Sequence, residues 1–165
     1  MILLRTQRTI VRPFQDADLE PLIAMMTDAD VMRFTGFKNP QATNRIIELL
    51  SKWKIEGEKS FGVWASENIE TKKLVAWFML KKTVSDDPEL GFMIEKGHWN
   101  KGYATEISQA FLKHAFAVLG IKRVIASTIQ ENLASINVLK KIGMTEYKEV
   151  ESKSPVIYFE ISRPN

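Results

Sequence analysis

The feature that most constrains the fold is a short apolar segment followed by a turn, a long amphipathic helix and a second apolar segment. Residues 88–96, PELGFMIEK, are typical of a strand, and residues 102–120, GYATEISQAFLKHAFAVLG, carry apolar residues at helical spacing before a terminating glycine. Residues 121–129, IKRVIASTI, are typical of the next strand. Strands joined through a helix in this way form a right-handed crossover, so the sequence predicts two parallel strands covered by the helix. The residues expected on the buried face of that helix are Ile107, Phe111, Ala115 and Val118, widened by Leu112 and Leu119.

The rest of the chain supplies further strands and helices. The strand-like segments are residues 3–14 (one strand or a bent pair), 60–67, 73–82, 144–152 and 154–163. The amphipathic helical segments are residues 16–28, 40–57 and 131–143. Asp16 is the expected cap of the first of these helices, Pro40 is expected near the first turn of the second, and the third is expected to run from the N-cap Asn132 to Gly143.

This order of elements predicts an α+β fold, a mixed sheet covered by helices as an α/β/α sandwich. No internal repeat, low-complexity tract or long linker divides the chain, so we expect one domain spanning residues 1–165.

Composition excludes several classes of function. The chain has no cysteine and only two histidines, His98 and His114, so we expect no disulfide and no metal site. The net charge of +3 comes from basic residues interleaved with acidic ones, and we expect no nucleic-acid partner. Arginines interrupt the apolar N-terminal segment and no segment is long enough to span a membrane, so we expect a cytoplasmic protein with no membrane partner.

The turn before the long helix is a candidate anion site. The first amides of a helix have no intrahelical partner, and the helix dipole places partial positive charge there. In residues 99–106, WNKGYATE, the amides from about Asn100 to Thr105 can converge on one anion, and Gly102 tolerates close approach. A pyrophosphate fits this description, whereas the pattern is neither a Walker motif nor GxGxxG. The alternative is a helix that begins near a glycine without holding a ligand.

Three segments in order resemble the GNAT superfamily of acyl-CoA-dependent N-acetyltransferases, and within it the branch of the ribosomal-protein alanine N-acetyltransferases. They are residues 4–36, residues 88–107 and residues 132–144, NLASINVLKKIGM. The resemblance spans nearly the whole chain. It implies a mostly antiparallel sheet of about seven strands with about four helices, and acetyl-CoA as the acetyl donor with coenzyme A as the product.

The resemblance also assigns residues to the cofactor. The family's pyrophosphate pattern, [Q/R]xxGx[G/A], falls on residues 99–104, where Trp99 departs from the first position. The residues expected at the pyrophosphate are Trp99, Asn100, Lys101, Gly102, Tyr103, Ala104 and Thr105. Those expected along the pantetheine arm are the main chains of Phe92, Met93 and Ile94, and the residues Asn132, Ser135 and Asn137. Asn132 as an ordinary N-cap and Ser135 as an ordinary first-turn residue are the alternatives.

The chemistry implied is direct attack of a neutral amine on the thioester in a ternary complex, since a chain without cysteine has no thiol nucleophile. Glu89 is the candidate base, with an exposed strand glutamate as the alternative. Many relatives use a tyrosine as the acid, but the matching position here is Leu139, so Ser135 or a water takes that role. Arg33, Phe34 and Phe37 are expected to flank the acceptor.

The acceptor expected first is a protein N-terminal amine. The alternatives are a small-molecule amine, such as a polyamine, an amino acid or an aminoglycoside, and a non-catalytic acyl-CoA-binding module. We expect a monomer or a homodimer. Neither His98 nor His114 has partners at triad spacing, so both are interpreted as packing or surface residues.

Overall fold

The computed structural model describes residues 3–37, 39–82, 86–147 and 155–164. The strands found there are β1 (Leu4–Arg5), β2 (Thr9–Arg12), β3 (Gly62–Asn68), β4 (Leu74–Lys82), β5 (Pro88–Ile94), β6 (Arg123–Ile129), β7 (Thr145–Tyr147) and β8 (Val156–Ser162). The α-helices are α1 (Leu19–Thr27), α2 (Ala29–Met32), α3 (Thr43–Glu56), α4 (Tyr103–Ala117) and α5 (Leu133–Lys141). Two 3-10 helices, Asp16–Asp18 and Lys96–His98, precede α1 and the turn before α4.

The eight strands form one sheet in the order β1-β2-β3-β4-β5-β6-β8-β7. Every neighbouring pair is antiparallel except β5 and β6, which are parallel and connected through α4. The predicted crossover and the mostly antiparallel mixed sheet are therefore confirmed. The described residues contain one more strand and one more α-helix than expected, because residues 3–14 form a bent pair and Asp28 caps the short helix α2.

Helices cover both faces of the sheet because strand residues alternate between the two faces. On β4, Phe78 and Leu80 belong to the core with α4 and α5, while Trp77 and Met79 pack with the core of α1 and α3. Phe78 stacks on Phe111 of α4, with ring centroids 5.4 Å apart. Alternation on one strand thus sorts apolar side chains into two cores.

Some details differ from the sequence predictions. The carboxylate of Asp18, and not that of Asp16, accepts from the Gln15 backbone N–H (2.8 Å) at the start of the 3-10 helix. Val118 is 69% exposed because α4 ends one residue before it. Pro40 precedes α3 by three residues and is not in its first turn. Of the strand-like segment 144–152, Thr145–Tyr147 forms β7, and residues 148–152 lie outside the described residues.

Candidate active site

The two parallel strands start side by side and then separate. β5 is in register with β4 over its whole length, from Pro88 opposite Lys82 to Ile94 opposite Ala76. In the described part of the chain it pairs with β6 at one register position only, where Glu89 lies opposite Ile125. Beyond that position the β6-facing edge of β5 is open, and an extended ligand can pair with such an edge. This edge includes the main chains of Phe92, Met93 and Ile94.

The turn after β5 has the geometry of an anion site. Asn100 (φ 58°) and Gly102 (φ 80°) are both in the left-handed region, which directs neighbouring amides toward a common point. Among the described residues, none of the amides from Asn100 to Thr105 donates to a backbone acceptor, and no side chain caps α4. These free amides at the N-terminus of a 15-residue helix fit a pyrophosphate.

Trp99 connects this turn to the open strand. Its indole N–H donates to the carbonyl of Ile94 (2.9 Å), and the side chain is partly exposed. The tryptophan therefore fixes the end of β5 relative to the turn, while the backbone amides remain available for an anion. Two residues after Trp99, the ammonium of Lys101 donates to the Gly97 carbonyl (2.6 Å).

Arg8, between β1 and β2, contacts the same turn, and sequence reasoning missed it. Its Nε and its backbone N–H donate to the two carboxylate oxygens of Glu106 (2.7 and 2.9 Å), and its Nη1 donates to the Lys101 carbonyl (2.9 Å). Its guanidinium carbon lies 4.1 Å from the ring centroid of Tyr103. Partial burial raises the pKa of Glu106, but hydrogen bonds from Thr6 and Arg8 and the charge of Arg8 outweigh it, so the net pKa is lowered.

The start of α5 lies at the same end of the sheet as this turn, because each follows the carboxyl end of one of two parallel neighbours. Asn132 is the N-cap, as predicted: its side-chain oxygen accepts from the Ser135 backbone N–H (3.2 Å). The Asn132 amide also donates to the Ser135 hydroxyl oxygen (3.0 Å), which leaves the hydroxyl proton directed elsewhere. Asn137 is exposed. Leu139 is 2% exposed and belongs to the core, so its position has no acid.

Glu89 faces away from α4, since it alternates with the buried residues Pro88 and Leu90. Its carboxylate accepts from the Ser127 hydroxyl on β6 at 2.6 Å. Ser127 is two residues beyond Ile125, the register partner of Glu89, so the two side chains share one face of the sheet. Sequence reasoning did not identify Ser127. The carboxylate is thus held beside the point where the strands separate.

The residues expected at the acceptor lie after α2. Arg33 is exposed and its guanidinium carbon is 4.9 Å from the ring centroid of Phe34, while Phe37 packs against the core of α1 and α3. That core includes Met93, so Phe37 and Glu89 are on the same face of the sheet. No hydrogen bond or ion pair within the described ranges connects these three residues to Glu89.

The histidines have structural contacts. His98 Nδ1 is 2.7 Å from the Glu95 carboxylate, and its ring packs edge-on against Tyr103. His114 lies in α4, where burial lowers its pKa. In the described residues we find no group of three or more potential metal ligands. None of the described helices has the length and apolar character needed to span a bilayer.

A mostly antiparallel sheet that opens between two parallel strands, with a free-amide turn at the end of one of them, is the arrangement expected from the resemblance to acyl-CoA-dependent transferases. The chain belongs to the GNAT acetyltransferases, since residues 8–145 match the family model described as an acetyltransferase (GNAT) domain.

Its relatives agree with this assignment. The chain is similar to the uncharacterized N-acetyltransferase YoaA of Bacillus subtilis, with 27% identity over 86% of this chain and 81% of YoaA. It is similar to YkkB of the same organism, with 30% identity over 94% of this chain and 92% of YkkB. A GNAT acetyltransferase structure from Bacillus anthracis has a TM-score of 0.86 and 25% identity, covering 98% of both chains. The family model and the acetyltransferase names among these relatives support acyltransferase activity, and not the non-catalytic alternative.

Proposed function

We propose that the protein transfers the acetyl group of acetyl-CoA to a protein N-terminal amine by direct attack, with Glu89 as the general base. The observation that carries the proposal is the Glu89 carboxylate, held at 2.6 Å by Ser127 where β5 and β6 separate. A base must be fixed within reach of the attacking amine, and the hydrogen bond from Ser127 on the neighbouring strand supports a fixed position for this carboxylate.

The cofactor assignment is supported by the backbone. The amides from Asn100 to Thr105 would bind the pyrophosphate, and the open edge of β5 from Phe92 to Ile94 would pair with the pantetheine arm. Asn132 and Asn137, at and near the start of α5, would contact the same arm. When bound, acetyl-CoA supplies the activated thioester.

The protein's own groups would then act at two places. Glu89, directly or through a water, accepts the proton that the amine loses as it attacks. Ser135 donates a hydrogen bond to the departing thiolate and keeps its proton, since its oxygen already accepts from Asn132 and its O–H is free to point elsewhere. Departure of a thiolate needs only a weak acid, because a thiol pKa of about 8.5 is close to neutrality.

The pKa of the acceptor amine supports this acceptor class. An N-terminal amine has a pKa of about 7.7–8.0 and is partly neutral in the cell, whereas a lysine amine with a pKa of about 10.4 needs a stronger base or a perturbed environment. An amine that is already partly neutral requires less help from a carboxylate base. The likeness to RimL, a ribosomal L7/L12 alpha-N-protein acetyltransferase in complex with coenzyme A, shows the fold alone, with a TM-score of 0.80 at 10% identity.

A small cationic amine is the second candidate. Glu89 and Glu160 lie on either side of Ile125 in one row across the sheet. Arg123 pairs with Glu160, so of the two carboxylates Glu89 is the one that would attract a cationic acceptor. The fold is shared with a spermidine N-acetyltransferase of Vibrio cholerae in complex with CoA and spermine, at a TM-score of 0.75 and 18% identity.

An acceptor panel tests the proposal. Because the enzyme has no cysteine, a thiol reagent reports only the coenzyme A released. The panel contains peptides with free N-termini, N-terminally blocked peptides containing lysine, and spermidine. We expect release with the free N-termini. Release with spermidine alone would assign the second candidate. If none of the amines in the panel gives release of coenzyme A, both candidates are contradicted.

The base is tested with Glu89→Gln, using Glu146→Gln on the exposed side of β7 as the matched control. We expect kcat to fall about 100-fold or more in the first variant and to stay near the wild-type value in the second. A wild-type kcat in Glu89→Gln would show that Glu89 is not the general base.

A further inference from the structure

Arg8 is the residue that connects the sheet edge to the candidate pyrophosphate turn. It contacts the turn and the first turn of α4 through three hydrogen bonds, to the two Glu106 oxygens and to the Lys101 carbonyl, and through the ring of Tyr103. Tyr103 is itself fixed, since its hydroxyl accepts from the Asn68 amide at 3.0 Å. The guanidinium is therefore held in one place by three groups of residues 101–106, the Glu106 carboxylate, the Lys101 carbonyl and the Tyr103 ring.

The bond to the Lys101 carbonyl determines where the next amide points. The peptide between Lys101 and Gly102 is trans, and in a trans peptide the C=O and the N–H point in opposite directions. Because Arg8 holds the carbonyl on its own side, the Gly102 N–H is directed to the opposite side of the turn. That N–H is one of those that donate to no acceptor in the described part of the chain.

The pair with Glu106 affects the charge at the same place. Glu106 is in the first turn of α4, close to the amides that would bind a pyrophosphate. An unpaired carboxylate there would repel the phosphates, because a glutamate side chain, with an ordinary pKa of about 4.3, is ionised at neutral pH. The guanidinium of Arg8 neutralises it through Nε, 2.7 Å from the carboxylate, and the backbone N–H of Arg8 adds a second hydrogen bond. The Arg8 side chain itself is 37% exposed.

We propose that Arg8 is a positioning residue for the acyl-CoA pyrophosphate, which orients the Gly102 amide through the Lys101 carbonyl and cancels the charge of Glu106. This inference rests on the proposed cofactor site. It makes Arg8 act through the turn, without contact to the ligand, and it predicts that the arginine and its glutamate partner have opposite effects on affinity.

The test measures the Kd of coenzyme A by calorimetry, together with the melting temperature of the ligand-free protein. Arg8→Gln removes both effects, and we expect about tenfold weaker binding. Arg8→Lys keeps the charge but lacks the planar fork that fixes Glu106 and the Lys101 carbonyl in one geometry, so an intermediate Kd is expected. Glu106→Gln removes the repelling charge and should bind at least as tightly as the wild type. Arg45→Gln, which breaks the exposed pair with Glu48 on α3, is the control for net charge.

The double variant Arg8→Gln/Glu106→Gln separates the two effects. We expect it to recover part of the affinity lost in Arg8→Gln, because the negative charge of Glu106 is gone while the Gly102 amide is still not oriented by Arg8. In steady-state kinetics, the KM for acetyl-CoA should rise in Arg8→Gln and kcat should change little.

Three results would overturn the inference. A wild-type Kd in Arg8→Gln, even with a lowered melting temperature, would make Arg8 purely structural. Equal weakening in Arg8→Gln and Glu106→Gln would show that the pair acts only by holding α4. If the wild type fails to bind coenzyme A, the cofactor site and this inference are both wrong. If the wild type binds and Arg8→Gln has the same Kd, this inference alone is wrong.

Discussion

A buried ion pair at the entry to α1 gives a prediction with a matched control on the same 3-10 helix. Asp18 is 4% exposed and Arg12 is 8% exposed, and the pair makes two hydrogen bonds of 2.7 and 2.9 Å. The hydrogen bond from Arg12 to Asp18 is the largest cause of the raised pKa of Arg12. Asp16, two residues earlier, is 90% exposed and pairs with Lys54. The substitutions compared are Asp18→Asn and Asp16→Asn.

The expected magnitudes differ because burial differs. Breaking a buried pair by removing one charge destabilises a protein by roughly 3–5 kcal/mol. Glu67 still contacts Arg12 at 2.8 Å in Asp18→Asn, so we expect the lower end, about 3 kcal/mol. An exposed pair contributes less than about 1 kcal/mol. At about 2–4 °C per kcal/mol for a domain of this size, the melting temperature should fall by about 6–12 °C in Asp18→Asn. The corresponding fall in Asp16→Asn should be less than about 4 °C.

Thermal and urea denaturation of the two variants and the wild type measure this difference. The urea slope should be unchanged, since neither substitution alters the surface exposed on unfolding. Losses of equal size in both variants would refute the reasoning from burial, and so would a loss below about 1 kcal/mol in Asp18→Asn.

Three further predictions concern the site and the pH dependence of stability. Gly102→Glu should abolish coenzyme A binding in calorimetry, because it places a side chain and a negative charge at a left-handed position of the anion turn. Binding at the wild-type Kd would show that the cofactor site is assigned wrongly. Ser135→Ala should lower kcat with little change in the KM for acetyl-CoA, and an unchanged kcat would leave water as the acid. Burial lowers the pKa of His114 below its usual value of 6.5, so the unfolded chain binds more protons and stability should fall as the pH drops through 6.5 toward the folded pKa. His114→Gln should remove this part of the melting-temperature profile between about pH 7.5 and 5.5, and an unchanged profile would contradict it.

The parts of the fold that local patterns determine could be predicted from the sequence. The apolar period of α4, the N-cap at Asn132 and the left-handed Gly143 after α5 are properties of neighbouring residues, and each is found in the structure. The position of β8 between β6 and β7 could not be predicted in this way, because it depends on pairing between distant segments. Val118 illustrates the same limit at smaller scale, since the helical period does not show that α4 ends at Ala117.

The candidate site likewise has one part that depends on local sequence and another that depends on contacts between distant residues. Its backbone part, the turn around Gly102 and the open edge of β5, follows from a glycine, a helix start and a preceding strand, all of them local. Its side-chain part depends on contacts between Arg8 and Glu106, 98 residues apart, and between Ser127 and Glu89, 38 residues apart. In the sequence alone, no local pattern distinguishes Arg8 from other surface arginines or Ser127 from other strand serines. A turn of free backbone amides at a helix start can therefore be located from sequence. The side chains that contact this turn become visible only when the strands are in register.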